Sequence, residues 1–385
     1  MTEANAYLKV LLENLRTARE NARLSETALE NKLILGPGWI NRFESGNTVP
    51  SIDMLLAILH ETGAPLEQLL RNLPKLQPTQ IERAIFAEQS GNDIIINFRY
   101  TNFDATYRLC KTTLNDFDTV IKTLRDGLAR LAATDQASSE AVKTDSVARC
   151  FLTAVKLWPQ ANPSDLWWFI VYRAYCDPYN HPAKFARLDF TQSWKRTGGW
   201  ALEEILVRHY APFLKTKGIN LYIADSASKQ TLVRGLNIAD RIEADKIDVV
   251  LTADTPTGPR FFGVVHVKAS FAERRTDDVP MSIALSRAGY TSPLWTMDCK
   301  SMPSAMPTNR GELGCITVGS RSAKRKDIED EGYFTGCFSY NKHTLPSTDN
   351  LPIERRVYVC DFANPDDLFS RFILKQWHLF ASSST

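Results

Sequence analysis

The sequence lacks the features of an exported or membrane-bound protein. Its longest purely apolar run, residues 166–172, is far shorter than the roughly 20 residues that a membrane-spanning helix needs. The first ten residues contain neither the cationic nor the apolar stretch that directs export. The seven cysteines form no CxxC pair and no ligand-like spacing with the six histidines, which disfavours disulfides and a structural zinc site. We therefore expect a cytoplasmic protein without membrane attachment.

The sequence also lacks a strong charge of either sign. Its 46 Lys and Arg side chains nearly balance its 44 Asp and Glu side chains, which gives a formal net charge of +2. This balance disfavours a protein that coats nucleic acid indiscriminately, but it is compatible with a local basic cleft that reads one sequence. Because 385 residues exceed the size of one compact core, we expect roughly two or three domains.

Residues 1–75 have the pattern of a small all-helical domain. Turn residues separate short segments in which leucines recur at spacings of three and four. Ser25 and Ser51 are the predicted N-caps of the second and fourth helices. The five helices are predicted near residues 5–20, 25–32, 38–44, 51–61 and 65–73.

The rest of the chain mixes strands and helices. Residues 76–131 contain three β-type segments followed by an amphipathic helix, which predicts a small α+β module. Residues 132–146 are polar and have the composition of a linker. Residues 147–385 predict an α/β domain with a mixed central sheet. Its strands are predicted near 219–224, 247–252, 261–268, 314–319 and 356–361, and its helices near 164–176, 200–214, 229–235, 281–288 and 366–377.

The N-terminal region resembles the Xre and lambda-repressor class of helix-turn-helix domains over about residues 8–71. The leucine frame, the segment RFESG at residues 42–46 and Pro50 at the start of a helix carry the resemblance. Such a domain presents its third helix to the major groove. Here that helix begins Gly36-Pro37-Gly38-Trp39, which offers few groups for hydrogen bonds to base edges. The domain therefore either reads DNA sequence or acts as an interaction or dimerisation module.

An acidic residue and a lysine are predicted at neighbouring strand ends of the C-terminal domain. Asp248 opens one predicted strand and Lys268 ends the next, which places a carboxylate beside an ammonium group. Hydrolysis of a phosphodiester uses such a pair, because the carboxylate binds Mg²⁺ while the lysine orients water and offsets negative charge. The spacing by itself is a weak signal, since a surface Asp and a surface Lys produce it by chance.

The surrounding residues resemble the PD-(D/E)XK nucleases, with Ile247 in place of the proline and His266 in place of the second carboxylate. The stretch KASFAERRTDDVP, residues 268–280, is similar to the AgeI and BsaWI branch of restriction endonucleases that read a CCGG core. The resemblance covers residues 147–385. It implies a Mg²⁺-dependent type II restriction endonuclease that cuts double-stranded DNA at a palindromic CCGG-containing site and leaves 5′ overhangs. Cutting both strands of a palindrome further implies a homodimer, at least on DNA.

The resemblance places the second carboxylate on an upstream helix, where the sequence offers Glu203 and Glu204. Glu203 shares a helix face with apolar side chains one and two turns further along. Glu204 has the i, i+4 spacing of an exposed ion pair with Arg208. We therefore predict that Glu203 is the catalytic and metal-binding partner of Asp248, with Glu204 as the alternative. His266 is open to three roles: a spectator, a water-positioning group or a weak metal ligand.

The resemblance also assigns DNA-contacting residues. Glu273 would accept hydrogen bonds from cytosine amino groups, and Arg274 would donate two to guanine O6 and N7. Arg275 is the alternative guanine reader. Arg196 and Lys300 stand where the resembling enzymes place further cations that contact DNA.

Two other functions are compatible with the sequence. In a transcriptional regulator, the helix-turn-helix domain would bind DNA and the C-terminal domain would sense a signal or dimerise. The pairing of Asp248 with Lys268 argues against that function, because a sensor has no use for it. A nuclease for modified or mismatched DNA would share the same catalytic residues and differ in its substrate.

Overall fold

The chain divides into two units, Met1–Gln80 and Ile81–Thr385. Within the part of the chain that is described, no helix combines the length and apolar character required to cross a membrane. The structure is a computed structural model that describes residues 3–46, 48–73, 83–100, 103–135, 137–172, 190–236, 238, 242–270, 275–300, 309–316, 319 and 321–383.

The first unit contains the five predicted helices. They are α1 (Glu3–Asn21), α2 (Glu26–Lys32), α3 (Trp39–Glu44), α4 (Ile52–Thr62) and α5 (Leu66–Leu69). The side chain of Ser25 accepts a hydrogen bond from the backbone of Ala28, and that of Ser51 accepts one from Met54, which confirms both predicted N-caps. Leucines of several helices pack around Ile40 and Phe43 in a core of their own.

The second unit begins with an antiparallel three-stranded sheet and a helix, as predicted. The elements are β1 (Arg83–Ser90), β2 (Asp93–Tyr100), β3 (Phe103–Leu109) and α6 (Leu114–Ala129). They do not form a separate core. Phe98 of β2 packs against Trp168 and Phe169, with ring centroids 4.3 and 5.4 Å away, and all three belong to one continuous cluster with the large sheet. A three-stranded sheet needs such cover for its apolar face.

The predicted linker at residues 132–146 is largely helical, because α7 (Ser139–Leu157) begins inside it. Several of its polar residues are buried: Lys143 pairs with Glu140 at 2.8 Å, and Ser146 donates to the carbonyl of Val142 at 2.6 Å. Ser146 lies so close to α6 that a Cβ on Gly127 would be 2.5 Å from its hydroxyl oxygen. Composition indicated a linker because the first residues of α7 are mostly polar, and its buried apolar residues begin only at Val147.

The apolar segment that follows is buried, as its composition indicates. It forms α8 (Pro163–Leu166) and a π-helical stretch, Trp167–Tyr172, in which Trp167 and Trp168 are both core residues. Residues 173–176 of the predicted helix lie outside the described residues. The next helix is α9 (Phe190–Lys215), longer than the predicted 200–214.

A mixed six-stranded sheet forms the centre of the second unit, as predicted. Strands β4 to β6 are antiparallel and β6 to β9 are parallel. Strands β7 and β8 were not predicted, since three residues carry no readable alternation. The predicted strand at 314–319 is not found among the described residues, where Cys315 makes an isolated bridge to Thr344. The strands are β4 (Ile219–Tyr222), β5 (Val249–Thr255), β6 (Gly258–Lys268), β7 (Leu294–Thr296), β8 (Cys337–Ser339) and β9 (Val357–Val359).

Helices cover both faces of this sheet. The remaining helices are α10 (Ser226–Arg234), α11 (Arg275–Arg287), α12 (Ala323–Glu329) and α13 (Leu368–Ser382). Val265 and Val267 of β6 share a core with apolar residues of α9 and α13. Val264 instead shares a core with Met281 and Leu285 of α11. Because side chains alternate along a strand, His266 and Lys268 lie on the face that α11 covers.

The shared core predicts that the small sheet and the large sheet unfold together. Phe98→Ala removes a ring that is 3% exposed and should destabilise the second unit by about 3–5 kcal/mol. Phe86→Ala, on the neighbouring strand at 55% exposure, is the matched control and should change stability by less than about 0.5 kcal/mol. Urea unfolding followed by tryptophan fluorescence and circular dichroism measures both. An unchanged main transition in Phe98→Ala would mean that the small sheet is an independent module.

Candidate active site

The hairpin of β5 and β6 brings Asp248 and Lys268 together. Asp248 directly precedes β5 and Lys268 is the last residue of β6, and the antiparallel register aligns Val249 with Val265. The Lys268 ammonium donates to Asp248 Oδ2 at 2.6 Å, and the backbone N–H of Val267 donates to the same oxygen at 2.8 Å. The carboxylate is thus fixed from the neighbouring strand by one main-chain and one charged donor.

A second carboxylate reaches this pair from α11. Asp278 Oδ2 lies 3.4 Å from Lys268 Nζ, and Asp278 Oδ1 lies 3.8 Å from His266 Nδ1. The other ring nitrogen, His266 Nε2, is 2.8 Å from Ser292 Oγ. Four ionisable side chains from two strands and one helix therefore meet on one face of the sheet.

Burial and charge together define the electrostatics of this group. Asp248, His266 and Asp278 are buried, and the Lys268 side chain is largely so. Burial acts to raise the pKa of Asp278, but the nearby His266 and the positive charge of Lys268 outweigh it, so this pKa lies below its usual value. Two carboxylates share one lysine ammonium group, and such a grouping of buried acidic oxygens suits a bound cation.

The residues present fit a metal ion. Among the described His, Cys, Asp and Glu residues, Asp248, His266 and Asp278 form a group whose ligand atoms all lie within 4.8 Å of one another. His266 Nδ1 is buried and makes no hydrogen bond within the described structure. Carboxylate oxygens and an unprotonated ring nitrogen are both established ligand types for divalent ions.

The two candidate glutamates have different surroundings, one buried and one partly exposed, as their positions on the helix indicate. Glu203 is buried on α9, whereas the Glu204 side chain is 33% exposed and pairs with Arg208 at 2.9 Å. The apolar residues around Glu203 pack on the sheet face opposite to α11. A metal-binding role for Glu203 remains a prediction.

The predicted DNA-contacting residues are only partly described. Glu273 and Arg274 lie outside the described residues, as does the side chain of Arg275, whose backbone opens α11. Arg196 is exposed on α9, and Lys300 is half-buried four residues after β7. Their contacts with DNA remain predictions.

Asp278 and Ser292 are site residues that the sequence analysis missed. The helix was predicted to begin at residue 281, but α11 begins at Arg275 and carries Asp278 in its first turn. Proline usually occupies the first helical position, so Pro280 favoured the later start, whereas in the structure it lies inside α11. No sequence signal pointed to Ser292, because it lies 26 residues from His266 along the chain.

Comparisons with known proteins agree with this fold. A helix-turn-helix domain family matches residues 11–73. The type II restriction enzyme AgeI of Thalassovita gelatinovora is 38% identical over 240 residues, which are 60% of this chain and 84% of that enzyme. The crystal structure of AgeI in a specific complex with DNA matches with a TM-score of 0.62 and 31% identity, over 76% of this chain and 99% of that chain. A BsaWI–DNA complex is a more distant neighbour, with a TM-score of 0.34 and 16% identity over 69% of this chain and 94% of that chain.

A carboxylate–lysine site on a mixed sheet, in a chain so similar to AgeI, defines a type II site-specific deoxyribonuclease. The chain belongs to the AgeI family of restriction endonucleases and carries a helix-turn-helix region in front of the nuclease. The C-terminal unit is thus an enzyme and not the sensing domain of a transcriptional regulator.

Glu203 and Glu204 are adjacent on α9 and form a matched pair for substitution. We predict that Glu203→Gln lowers the single-turnover cleavage rate by roughly 10²-fold or more, as expected when a group that stabilises the transition state is removed. Glu204→Gln should lose only a partly exposed ion pair, worth about 0.3–0.5 kcal/mol of stability. Cleavage of plasmid DNA measures the first effect and thermal unfolding the second. If Glu204→Gln is the inactive variant, the assignment of the helix face is wrong.

Proposed function

We propose that this enzyme hydrolyses phosphodiester bonds of double-stranded DNA at a palindromic site with a CCGG core, in a Mg²⁺-dependent reaction that leaves 5′ overhangs. The observation that carries the proposal is the cluster of Asp248, Lys268 and Asp278 at the end of the β5–β6 hairpin. The similarity of residues 268–280 to the CCGG-reading enzymes, and of the chain to AgeI, supports the choice of substrate.

Asp248 and Asp278 are the residues that would hold the cation, with Glu203 predicted as a further ligand. Oxygen ligands suit Mg²⁺, and one or two protein carboxylates are typical of its sites on phosphate substrates. Mg²⁺ bound there would stabilise the negative charge that develops on the scissile phosphate. The backbone N–H of Val267 and the ammonium group of Lys268 both donate hydrogen bonds to Asp248 Oδ2. Together they orient the Asp248 carboxylate.

We infer that Lys268 serves the attacking water. Its ammonium group lies between two carboxylates, 2.6 Å from Asp248 and 3.4 Å from Asp278. From there it would orient water by donating a hydrogen bond and offset the charge of the phosphate. The low exposure of the group strengthens each of these interactions, because little bulk water screens them.

Base reading is assigned to residues that follow β6. Glu273 would read cytosine and Arg274 guanine, with Arg275 as the alternative, while Arg196 and Lys300 would contact DNA as further cations. A palindromic site presents two equivalent scissile bonds, so we expect a homodimer at least on DNA.

Conservative substitution of the cluster should separate catalysis from folding. Asp248→Asn, Asp278→Asn and Lys268→Met should each lower cleavage by roughly 10²-fold or more, because each removes a charge that acts on the phosphate, the water or the cation. Each variant should still fold and bind DNA. Single-turnover cleavage of plasmid with Mg²⁺, followed by sequencing of the fragment ends, measures rate and site together.

Asp254→Asn is the control for these variants. Asp254 lies on the same strand, β5, but is exposed and pairs with Lys215 at 2.9 Å, so its substitution should leave cleavage unchanged. Wild-type rates in Asp248→Asn or Lys268→Met would overturn the proposed site. Fragment ends without a CCGG core would overturn the proposed specificity alone.

The start of α3 offers few groups for base reading. Gly38 precedes α3 at φ +82°, in the left-handed region that favours glycine, and the exposed large apolar side chains near it are Ile34 and Trp39, whereas the exposed polar side chains of Asn41 and Arg42 lie further along α3. Arg42 lies over the Trp39 ring, 5.7 Å from its centroid. We therefore assign affinity or regulation, and not choice of the cleavage site, to this unit.

A chain that begins at residue 81, the boundary between the two units, should keep the cleavage site of the full chain. Its DNA binding should be weaker and less dependent on salt if the first unit adds phosphate contacts, because each such contact releases counterions. Cleavage mapping and binding isotherms at several salt concentrations measure both effects. If the truncated protein folds but cuts a different sequence, the first unit determines the choice of cleavage site.

A further inference from the structure

We propose that His266 is a ligand of the catalytic cation through Nδ1, alongside the carboxylates of Asp248 and Asp278. A site of this composition favours Mn²⁺ or Co²⁺ over Mg²⁺ in affinity, because imidazole suits transition-metal ions while Mg²⁺ prefers oxygen. The inference rests on the proposed function, since it concerns the same site.

The Nδ1 atom of His266 is a buried polar atom without a hydrogen bond. The side chain is fully buried in β6, and Nδ1 has no hydrogen-bond partner within the described structure. Its nearest charged neighbour, Asp278 Oδ1, is 3.8 Å away, which is too long for a hydrogen bond. A buried polar atom in this state is destabilising, and native proteins usually satisfy such atoms.

The spacing of the three groups fits a shared ion better than a hydrogen bond. Ligands that bind one octahedral ion at about 2.1 Å lie roughly 3.0 Å apart when adjacent and about 4.2 Å apart when opposite. The 3.8 Å between His266 Nδ1 and Asp278 Oδ1 exceeds the separation of adjacent ligands by less than about 1 Å. The ligand atoms of Asp248, His266 and Asp278 all lie within 4.8 Å of one another, so a small movement brings all three onto one ion.

Ser292 holds the ring in the orientation that a ligand needs. Its hydroxyl lies 2.8 Å from His266 Nε2, and when Nε2–H donates to it, Nδ1 keeps its lone pair. Ser292 is itself anchored, because its backbone N–H donates to Thr335 Oγ1 at 2.8 Å and its carbonyl accepts from Ser282 Oγ at 3.3 Å. The ring also packs edge-on against Phe334, with centroids 5.3 Å apart. The ring is thus positioned before any ion binds.

Electron paramagnetic resonance of Mn²⁺ tests the inference on the full-length protein. Mn²⁺ is titrated with and without a duplex that contains CCGG, and the bound ion is examined for magnetic coupling to ¹⁴N. The wild type should show this coupling, and labelling histidine with ¹⁵N should change it accordingly. His266→Asn should lose the coupling and bind Mn²⁺ about 10- to 100-fold more weakly, while its affinity for Mg²⁺ should fall less. Mg²⁺-dependent cleavage is assayed in parallel.

Two further variants keep the result interpretable. Ser292→Ala retains the imidazole and should retain the nitrogen coupling, with Mn²⁺ affinity lowered by roughly 10-fold through loss of ring orientation. His378→Asn changes an exposed histidine on α13 and should leave both coupling and affinity unchanged. If His266→Asn fails to fold, the ¹⁵N-labelled wild type and Ser292→Ala still decide the question.

The outcomes distinguish the inference from the function on which it rests. Bound Mn²⁺ without nitrogen coupling, together with Mg²⁺-dependent cleavage, would overturn the ligand role of His266 and leave the nuclease intact. Coupling that persists in a folded His266→Asn variant would also overturn it. Failure of any divalent ion to bind or to support cleavage in the presence of the duplex would overturn both.

Discussion

The ion pair between Asp248 and Lys268 is the constraint around which the nuclease site is arranged. Bringing two charges out of water costs free energy, and their attraction compensates for it only when the geometry is good and the remaining oxygens have donors. The register of β5 and β6 supplies that geometry, since the N–H of Val267 and the ammonium of Lys268 reach the same carboxylate oxygen. Asp278 then adds a second carboxylate from α11, which leaves negative charge for a cation.

The rest of the second unit keeps this hairpin in place. Alternate residues of β6 face opposite layers, so Val265 and Val267 anchor the strand on the α9 side while His266 and Lys268 face α11. A β-bulge between Leu251 and Thr252 shifts the register, and Gly263 lies beside it. A Cβ on Gly263 would lie 2.2 Å from the carbonyl oxygen of Thr291, so only glycine at this position allows the segment that contains Thr291 to pack against β6. That segment carries Ser292, the partner of His266.

Structural features that depend on residues close together in the chain could be predicted from the sequence. Ser25 and Ser51 cap helices within three residues of themselves, and the strands of the β5–β6 hairpin follow each other directly. The helix over residues 139–157 was taken in part for a linker, because its first residues are mostly polar and its buried apolar residues begin only at Val147. Asp278 was missed for a related reason. Its role depends on where α11 crosses the sheet. The spacing of residues along a helix shows which of them share a face, but not which part of the protein that face contacts.

The exchange of a carboxylate for His266 changes the balance of charge in this site. A site with three buried carboxylates and one lysine would carry a larger excess of negative charge before any ion binds, and like charges in a buried group are costly. With an imidazole in place of a carboxylate, the cluster keeps three potential ligands but has only two carboxylates. Fewer protein charges also mean weaker attraction for a cation in the absence of DNA. The scissile phosphate would then supply the missing negative charge, so binding of the cation and binding of DNA would reinforce each other.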